Sequence, residues 1–440
     1  MRVLLIAGYF PPVAPLAATR VASLARFLTA RGHDVRVVAA RNTGHFAAIV
    51  PDLAPDAVFY ERKPDLSVFL RWLARGVKAL RKASGHDRIR DTAAPLAPAE
   101  RTDAAGGAAS RLYDAMIKVP DEHAAWIPFA IRRGRDLIAT WRPDVVYASA
   151  PPHSGLVVAA QLARLCGIPW IAELRDLWAD NPYYEPPAWR LWLDRKLEQH
   201  TLQSAAGIVT VTRGSALLLE QRYHRPTVLV SNGFDADDYS EPGEGDRADP
   251  DRLTIVYTGG IYPGKRDPAP LFDALARMGA AADGIRVHFV GDELGGIQPL
   301  ARGYGVERMV RAEPPVSHRA AIALQKGADV LLLLRWSDAR ERAVIPGKLF
   351  EYIGAGRPIL CLGLEGGEAA EIVAGRGAGI VTNDPSAIAE QLARWQALKR
   401  AHGWLPGPAP TARAGLSREE QFRVLESFVL QLADGRSPLR

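Results

Sequence analysis

The stretch Ile345-Pro-Gly-Lys-Leu-Phe-Glu-Tyr-Ile-Gly-Ala-Gly-Arg-Pro-Ile-Leu360 carries the strongest local chemical signal in the chain. Pro346 and Gly347 open a short helix there, and Gly354 and Gly356 close it before a strand. The first turn of a helix offers unpaired backbone N–H groups to a phosphate, and Lys348 adds a cation at that place. Glu351, one turn further in, is placed to accept hydrogen bonds from the hydroxyl pair of a ribose. An ordinary helix with an exposed lysine and glutamate fits the same residues, and residue types alone leave the two readings level. Tyr257-Thr-Gly-Gly-Ile-Tyr-Pro-Gly-Lys265 follows a strand, and its Gly259 and Gly260 let backbone approach a diphosphate that Lys265 would neutralise. Phe289-Val-Gly-Asp292, with Gly291 and Asp292, is a third strand-to-turn junction in the same half. One such turn is a weak motif. Three, two of them with a lysine, favour a nucleotide-diphosphate site.

The earlier half holds a second constellation. Ala172-Glu-Leu-Arg-Asp-Leu-Trp178 puts Glu173, Arg175 and Asp176 where a buried strand ends, which is costly unless they pair or serve a ligand. A structural Arg–Asp ion pair is the alternative to a catalytic role. Pro151-Pro-His153-Ser154 follows the preceding strand and is expected to face the same place. The intrinsic pKa of His153 suits acid–base work, although a lone histidine is more often structural.

These residues need elements to position them, and the pattern supplies a consistent set. Arg2–Ala7 is a buried strand, Leu16–Ala30 has apolar residues at helical spacing, and Asp34–Ala39 is a second strand. Strand, loop, helix, strand opens a parallel doubly wound sheet. The pattern returns through Pro143–Ser149, Ser154–Cys166, Pro169–Leu174, Ile208–Thr212 and Val228–Val230. A Pro-, Gly- and acid-rich stretch, Ser240–Asp251, marks a linker. A second series then runs through Leu253–Tyr257, Arg286–Val290, Asp329–Leu334, Pro358–Leu362 and Gly379–Val381. The expected fold class is α/β: two tandem doubly wound, Rossmann-like domains facing a cleft. The expected boundaries are 1–235, a linker at 236–251, 252–420, and a helix at 421–440 returning to the first domain.

Length and composition agree with this. At 440 residues and 48% hydrophobic, the chain can fill two cores. Cys166 and Cys361, far apart, argue against a disulfide framework and fit a reducing cytoplasm. The apolar run at the start is too short for a signal core, and no stretch approaches the roughly 20 apolar residues of a membrane span. A formal charge of +6 fits phosphorylated substrates, membrane surfaces or nucleic acid without choosing among them. Residues 65–82 read as an amphipathic helix with Arg71, Arg75, Lys78 and Lys82 on one face. That face is either solvated or drawn to anionic lipid. Residues 93–110, rich in Ala, Gly and Pro, read as a loop.

In their order these features resemble retaining glycosyltransferases of the GT-B fold, specifically family 4, and within it members that build bacterial polysaccharides from nucleotide sugars. The resemblance spans nearly the whole chain. It runs through Tyr9-Phe-Pro-Pro12 before a helix with Arg20, Arg31-Gly-His-Asp-Val35, Pro143-Asp-Val-Val-Tyr147, Glu173–Trp178, Asn232-Gly-Phe-Asp235 and Pro346–Tyr352. It implies that the second domain holds the nucleotide sugar, with Lys265 on the diphosphate, Glu351 on the ribose and Lys348 in the related Pro-x-Lys-x-x-Glu-Tyr pattern. It implies that Tyr9, Pro11, Pro12, Arg20 and Glu173 lie on the acceptor side. Retention and the lack of a metal or other cofactor are implied as well. The sequence departs from the family at three places. Ala14–Ala18 replaces a Gly-Gly, Ala343 stands where many members have the first of two carboxylates, and Arg175 stands where many have histidine.

The reading at this stage is a cytoplasmic hexosyltransferase, peripheral to the inner face of a membrane through 65–82, that binds no nucleic acid. It would move a sugar from a UDP- or GDP-sugar to a lipid-linked or polysaccharide acceptor. Fixed cations would stabilise the departing diphosphate, and Arg175, Asp176, His153 and Lys265 are the catalytic candidates. An epimerase of the same fold and a non-catalytic nucleotide-binding subunit are the alternatives. A dehydrogenase is disfavoured, because Gly259-Gly260 does not extend to Gly-x-Gly-x-x-Gly.

Overall fold

The computed structural model describes residues 1–12, 16–42, 53–64, 118–240, 251–262 and 264–433. The expected helix at 65–82, the loop at 93–110 and residues 241–250 of the expected linker lie outside the described residues.

Two parallel sheets with flanking helices make up the fold. The first has seven strands in the order β3-β2-β1-β4-β5-β6-β7. These are β1 Arg2–Ala7, β2 Asp34–Arg41, β3 Val58–Arg62, β4 Val145–Ala150, β5 Trp170–Leu174, β6 Gly207–Thr210 and β7 Thr227–Leu229. The second has six, ordered β10-β9-β8-β11-β12-β13. Its strands are β8 Leu253–Thr258, β9 Ile285–Val290, β10 Val310–Glu313, β11 Val330–Leu334, β12 Ile359–Leu362 and β13 Gly379–Val381. The central strands are short, almost wholly buried apolar runs, as expected when helices cover both faces of a parallel sheet. Strand order reverses between β1 and β4 in one sheet and between β8 and β11 in the other. A crevice opens at such a reversal, beyond the carboxyl ends of the strands. The loops after these four strands are therefore the ones to inspect.

Every strand expected from the sequence is present, with ends shifted by a residue or two. Two further strands, β3 and β10, had no expected counterpart, and each occupies an edge of its sheet. All of β3 is at least partly exposed, and only Val310 of β10 is buried. β10 presents no apolar run, and β3 offers only Val58-Phe59-Tyr60 before Glu61 and Arg62, too short a run to mark a strand.

The chain packs as two compact units. One holds the described residues of Met1–Val209, with Leu219–Thr227 and the end of the last helix from Phe428; the other holds Thr210–Leu218 and Val228–Ser427. In the first, Leu4, Ile6, Val146, Ala148 and Trp170 form the centre of one core. Gly207 lies so close to Phe428 and Leu432 that a Cβ there would stand 2.7 and 2.5 Å from their side-chain carbons. In the second, Ile255, Tyr257, Phe272, Val287, Phe289 and Leu332 form the core on one face of the sheet, and Leu331, Leu333, Leu349, Tyr352 and Ile353 form that on the other.

One buried ion pair fixes the helix Leu16–Ala30 against β5. Arg20 Nε and Nη2 donate to Glu173 Oε1 at 2.9 and 2.8 Å, and Ser149 Oγ donates to Oε2. Removing one partner leaves an uncompensated charge in the core. Arg20→Met is expected to cost about 3–5 kcal/mol in urea unfolding followed by circular dichroism. Arg20→Met combined with Glu173→Gln should cost less than Arg20→Met alone, because no lone charge then stays buried.

Candidate functional site

The residues with chemical potential gather at two places, one in each unit, both at the carboxyl ends of strands flanking the reversals. In the second unit the cluster is built around Gly259, the residue after β8. Its φ is 119°, a conformation that suits glycine. Its backbone N–H donates to the Val290 carbonyl at 2.7 Å. A Cβ at 259 would lie 2.4 Å from Lys348 Nζ, and a Cβ at Gly291 would lie 2.3 Å from the Gly259 carbonyl oxygen. Gly291 is thus sterically required, and Gly259 is required by its φ and leaves the space the Lys348 ammonium occupies.

Lys348 enters from the first turn of the helix Gly347–Ala355, whose N-terminus is capped by Pro346 in extended conformation without a side-chain hydrogen bond. Its ammonium donates to Tyr257 Oη at 3.1 Å and lies 4.2 Å from the centre of the Tyr257 ring. Burial, reinforced by the nearby guanidinium of Arg266, pushes its pKa down from 10.5 to about 7, against a smaller opposing pull from Glu351. Arg266 Nη1 donates to the Gly260 carbonyl at 2.8 Å, and its guanidinium stacks on Tyr262. Burial also raises the Tyr257 hydroxyl, so it stays a neutral phenol.

Glu351, one turn after Lys348, is oriented by a buried amide. Gln325 Nε2 donates to Glu351 Oε2 and to Thr258 Oγ1, each at 3.0 Å, while its Oε1 accepts from Tyr239 Oη at 3.2 Å. Tyr352 Oη accepts from the Thr258 N–H at 3.1 Å, which ties the helix to the end of β8. Lys265, the expected diphosphate contact, packs on an aromatic ring. Its ammonium lies 4.5 Å from the centre of the Trp336 ring, whose other cationic neighbour is Arg340 at 4.4 Å. Gly260 stands beside Asp292, whose carbonyl accepts from the Ile261 N–H at 3.1 Å; the Asp292 residue is exposed. Ala343, at the position of the absent carboxylate, packs against Gly214, and Glu341 is buried with its Oε2 3.9 Å from Arg335 Nε. Glu368 instead accepts from the backbone N–H groups of Arg213 and Gly214 at 2.7 and 2.6 Å.

In the first unit the loops after β1, β4 and β5 converge. Gly8 is packed so tightly that a Cβ would stand 2.0 Å from Pro152 Cγ. Tyr9 Oη donates to Glu122 Oε1 at 2.5 Å, and the Pro11 carbonyl accepts from Tyr60 Oη; Pro12 is exposed. The expected pairing of Arg175 with Asp176 is not what forms. Arg175 donates to the carbonyls of Ala150 and Pro151, Asp176 is exposed, and the buried pair is Arg20–Glu173. Burial alone would raise the Glu173 carboxyl, but Arg20, Arg175 and the Ser149 hydrogen bond bring it below its ordinary range. His153 precedes the helix Ser154–Cys166 and stacks on Trp178 at 4.7 Å. Burial lowers its pKa to about 4 in spite of Asp121 and Asp194, and its Nε2 has no hydrogen-bond partner among the described residues. It is a neutral imidazole at pH 7.

Sequence reasoning missed several members of both clusters. Asp121 caps the helix after His153, accepting from Ser154 N and Oγ at 2.8 and 2.6 Å. His123 lies edge-on to Tyr9 at 4.8 Å, and burial also brings its pKa to about 4. Neither stands in a recognisable motif, and no local pattern would have found them. Arg266 was detectable, since it adjoins Lys265 in the same turn. Gln325 was not, because an isolated glutamine carries no signal.

Residues 17–233 match the glycosyl transferase 4-like domain. No curated protein sequence matches the chain. Among solved structures, a sucrose-phosphate synthase from Thermosynechococcus elongatus is similar over 99% of this chain and 100% of its own, at 14% identity and a TM-score of 0.63. HepE from Anabaena, solved in complex with UDP, is similar over 98% of this chain and 100% of its own, at 13% identity and a TM-score of 0.60. A putative UDP-N-acetylglucosamine 2-epimerase from Listeria monocytogenes shares the fold over 99% of this chain and 97% of its own, at 10% identity and a TM-score of 0.55. At such identities the likeness concerns fold alone, and that fold serves more than one chemistry. The match over 17–233 is narrower. The glycosyl transferase 4-like domain thus spans residues 17–233, and the two doubly wound sheets are those of the GT-B fold.

Proposed function

We propose that the protein transfers a hexose from a nucleoside-diphosphate sugar to an acceptor hydroxyl, with retention at the sugar carbon and without a metal. The observation that carries this reading is the cluster at Gly259. Lys348 and Arg266 lie close together at a strand-order reversal, next to glycine backbone and a helix N-terminus that has no side-chain cap. Those features suit a diphosphate. On departure of the nucleotide, negative charge grows on the leaving oxygen, and fixed cations stabilise it most at that moment. Glu351, held by Gln325, would receive the ribose hydroxyls, and Gly347, Gly291 and Asp292 would line the donor. Lys265, on Trp336, would sit at the rim of this site. The UDP complex of the structurally similar HepE supports a uridine nucleotide as the first donor to test.

The first unit would receive the acceptor, a lipid-linked or polysaccharide intermediate, with Tyr9, Pro11, Pro12, His153 and the neutral His123 facing it. Arg20 and Glu173 would act by holding the loops rather than by touching substrate, since each satisfies the other. An epimerase reading would require carboxylates and charged histidines converging on the sugar. Both buried histidines here are neutral, which favours transfer.

Two measurements test the donor site. In a thermal-shift and titration series with UDP, GDP, ADP and NAD, one nucleoside diphosphate should stabilise the protein. Glu351→Ala should weaken its binding by about tenfold to a hundredfold, the range for losing a charge-assisted hydrogen-bond partner. Stabilisation by NAD alone, or equal binding by the variant, would overturn the assignment. The second test uses the depressed pKa of Lys348. At pH 8 its amine is mostly neutral in the free protein, and a bound diphosphate favours the charged form. Binding of UDP at pH 8 should therefore take up close to one proton, and affinity should fall as pH rises above about 7. Calorimetry in two buffers of different ionisation enthalpy reads the uptake, and Lys348→Met should abolish it. An enthalpy independent of buffer would contradict the site.

A further inference from the structure

The helix Ala188–Leu202, in the first unit, is turned inside out for a surface helix. Its two carboxylates face inward, with Asp194 at 0% and Glu198 at 1% exposure. Arg190, also buried, donates to Asp194 Oδ2 at 2.8 Å and to the carbonyls of Lys118 and Pro120 at 2.7 and 2.8 Å. Glu198 Oε2 accepts from the Ala179 N–H at 3.1 Å. The outer face carries Trp189 at 42% and Trp192 at 63% exposure, with Tyr183 at 41% just before the helix. Arg195 and Lys196 are exposed on the same side, and no carboxylate of this helix is. Asp180, the carboxylate nearest Arg195, is shared with Arg222, so two cations meet one anion.

Leaving two tryptophans in water while burying an ion pair is unfavourable on both counts. The arrangement makes sense if the outer face meets a second phase. Indole rings settle at the headgroup level of a bilayer, where one edge is apolar and the other wet, and neighbouring Arg and Lys are drawn to anionic lipid. We propose that Tyr183, Trp189 and Trp192, with Arg195 and Lys196, form an interface with an anionic phospholipid bilayer. The helix follows β5, so its first turns lie at the carboxyl end of the sheet, and Arg190 fastens them to the segment that leads into Asp121, Glu122 and His123. The surface would thus present the acceptor-side loops to the headgroups. That last step rests on the acceptor reading above; the membrane contact does not.

Flotation of the full chain with vesicles of phosphatidylcholine, alone or with phosphatidylglycerol, tests it. Wild type should bind the anionic vesicles. Trp189→Ser with Trp192→Ser should bind them about tenfold or more weakly while keeping its melting temperature and UDP affinity. Arg195→Glu with Lys196→Glu should lose the preference for anionic over neutral vesicles. A tryptophan variant that binds as wild type does would overturn the proposal and point to residues 65–82 as the lipid contact. Wild type that ignores anionic vesicles would overturn it too, as would a dimer in sedimentation that the tryptophan variant dissolves without any vesicle binding. UDP affinity, read on the same samples, reports separately on the donor site.

Discussion

Lys348 can lie on the face of Tyr257 only because residue 259 has no side chain, and the cluster in the second unit depends on that single vacancy in the backbone. Gly291 is drawn into the same constraint, since it packs on the Gly259 carbonyl. The end of β8 is then clamped from the other side by Tyr352 and Gln325, which fix Thr258 and Glu351 together. Three separate segments are thereby held in register around one ammonium group. The ammonium pays for the position in pKa, because an aromatic face and a second cation are poor replacements for water. This penalty is a source of selectivity. A dianionic ligand relieves it, and a neutral one does not.

The first unit solves the problem of buried charge in the opposite way. Arg20 and Glu173 neutralise each other, and Arg175 is spent on two backbone carbonyls that join the loop after β4 to the end of β5. The titratable rings left near the loops, His153 and His123, are neutral. One cluster is therefore electrostatically poised for an anion, while the other offers shape, neutral imidazoles and phenols. Under the proposed function, the charged leaving group would stay at the first of these clusters and an uncharged hydroxyl would come from the other.

The sequence was most informative where physics acts locally. Buried parallel strands are continuous apolar runs, and the helix start at Pro346-Gly347 is a short-range pattern, so both could be read directly. Edge strands β3 and β10 escaped because neither offers a buried run of that kind. The Arg20–Glu173 pair joins residues 153 positions apart, and nothing short of the fold could reveal it. In the glycine turn, local reading chose Lys265 over its neighbour. Side-chain direction then separated the two, sending Lys265 to Trp336 and Arg266 to the Gly260 carbonyl beside Lys348. Spacing along a turn does not specify which neighbours each of two adjacent cations meets.

The family match ends at residue 233, just before the segment that leads into the second unit. The most legible chemistry, around Lys348 and Glu351, lies beyond it. The second unit has the parallel sheet and the helix that opens at Gly347, with Ala343 where the sequence resemblance implies a carboxylate, and Glu341 lies 3.9 Å from Arg335. Glu368, the carboxylate close to Ala343 through their common neighbour Gly214, is occupied by two backbone N–H groups. No carboxylate at that position remains to hold a sugar hydroxyl. Under the proposed function the sugar would be recognised by groups at other strand ends, and the exposed Asp292, just after β9, is one polar side chain so placed. Under the proposed function, a site without a carboxylate at 343 would differ in which sugar it accepts while keeping the same grip on the diphosphate, because the proposed diphosphate contacts are glycine backbone and Lys348, and those do not depend on position 343.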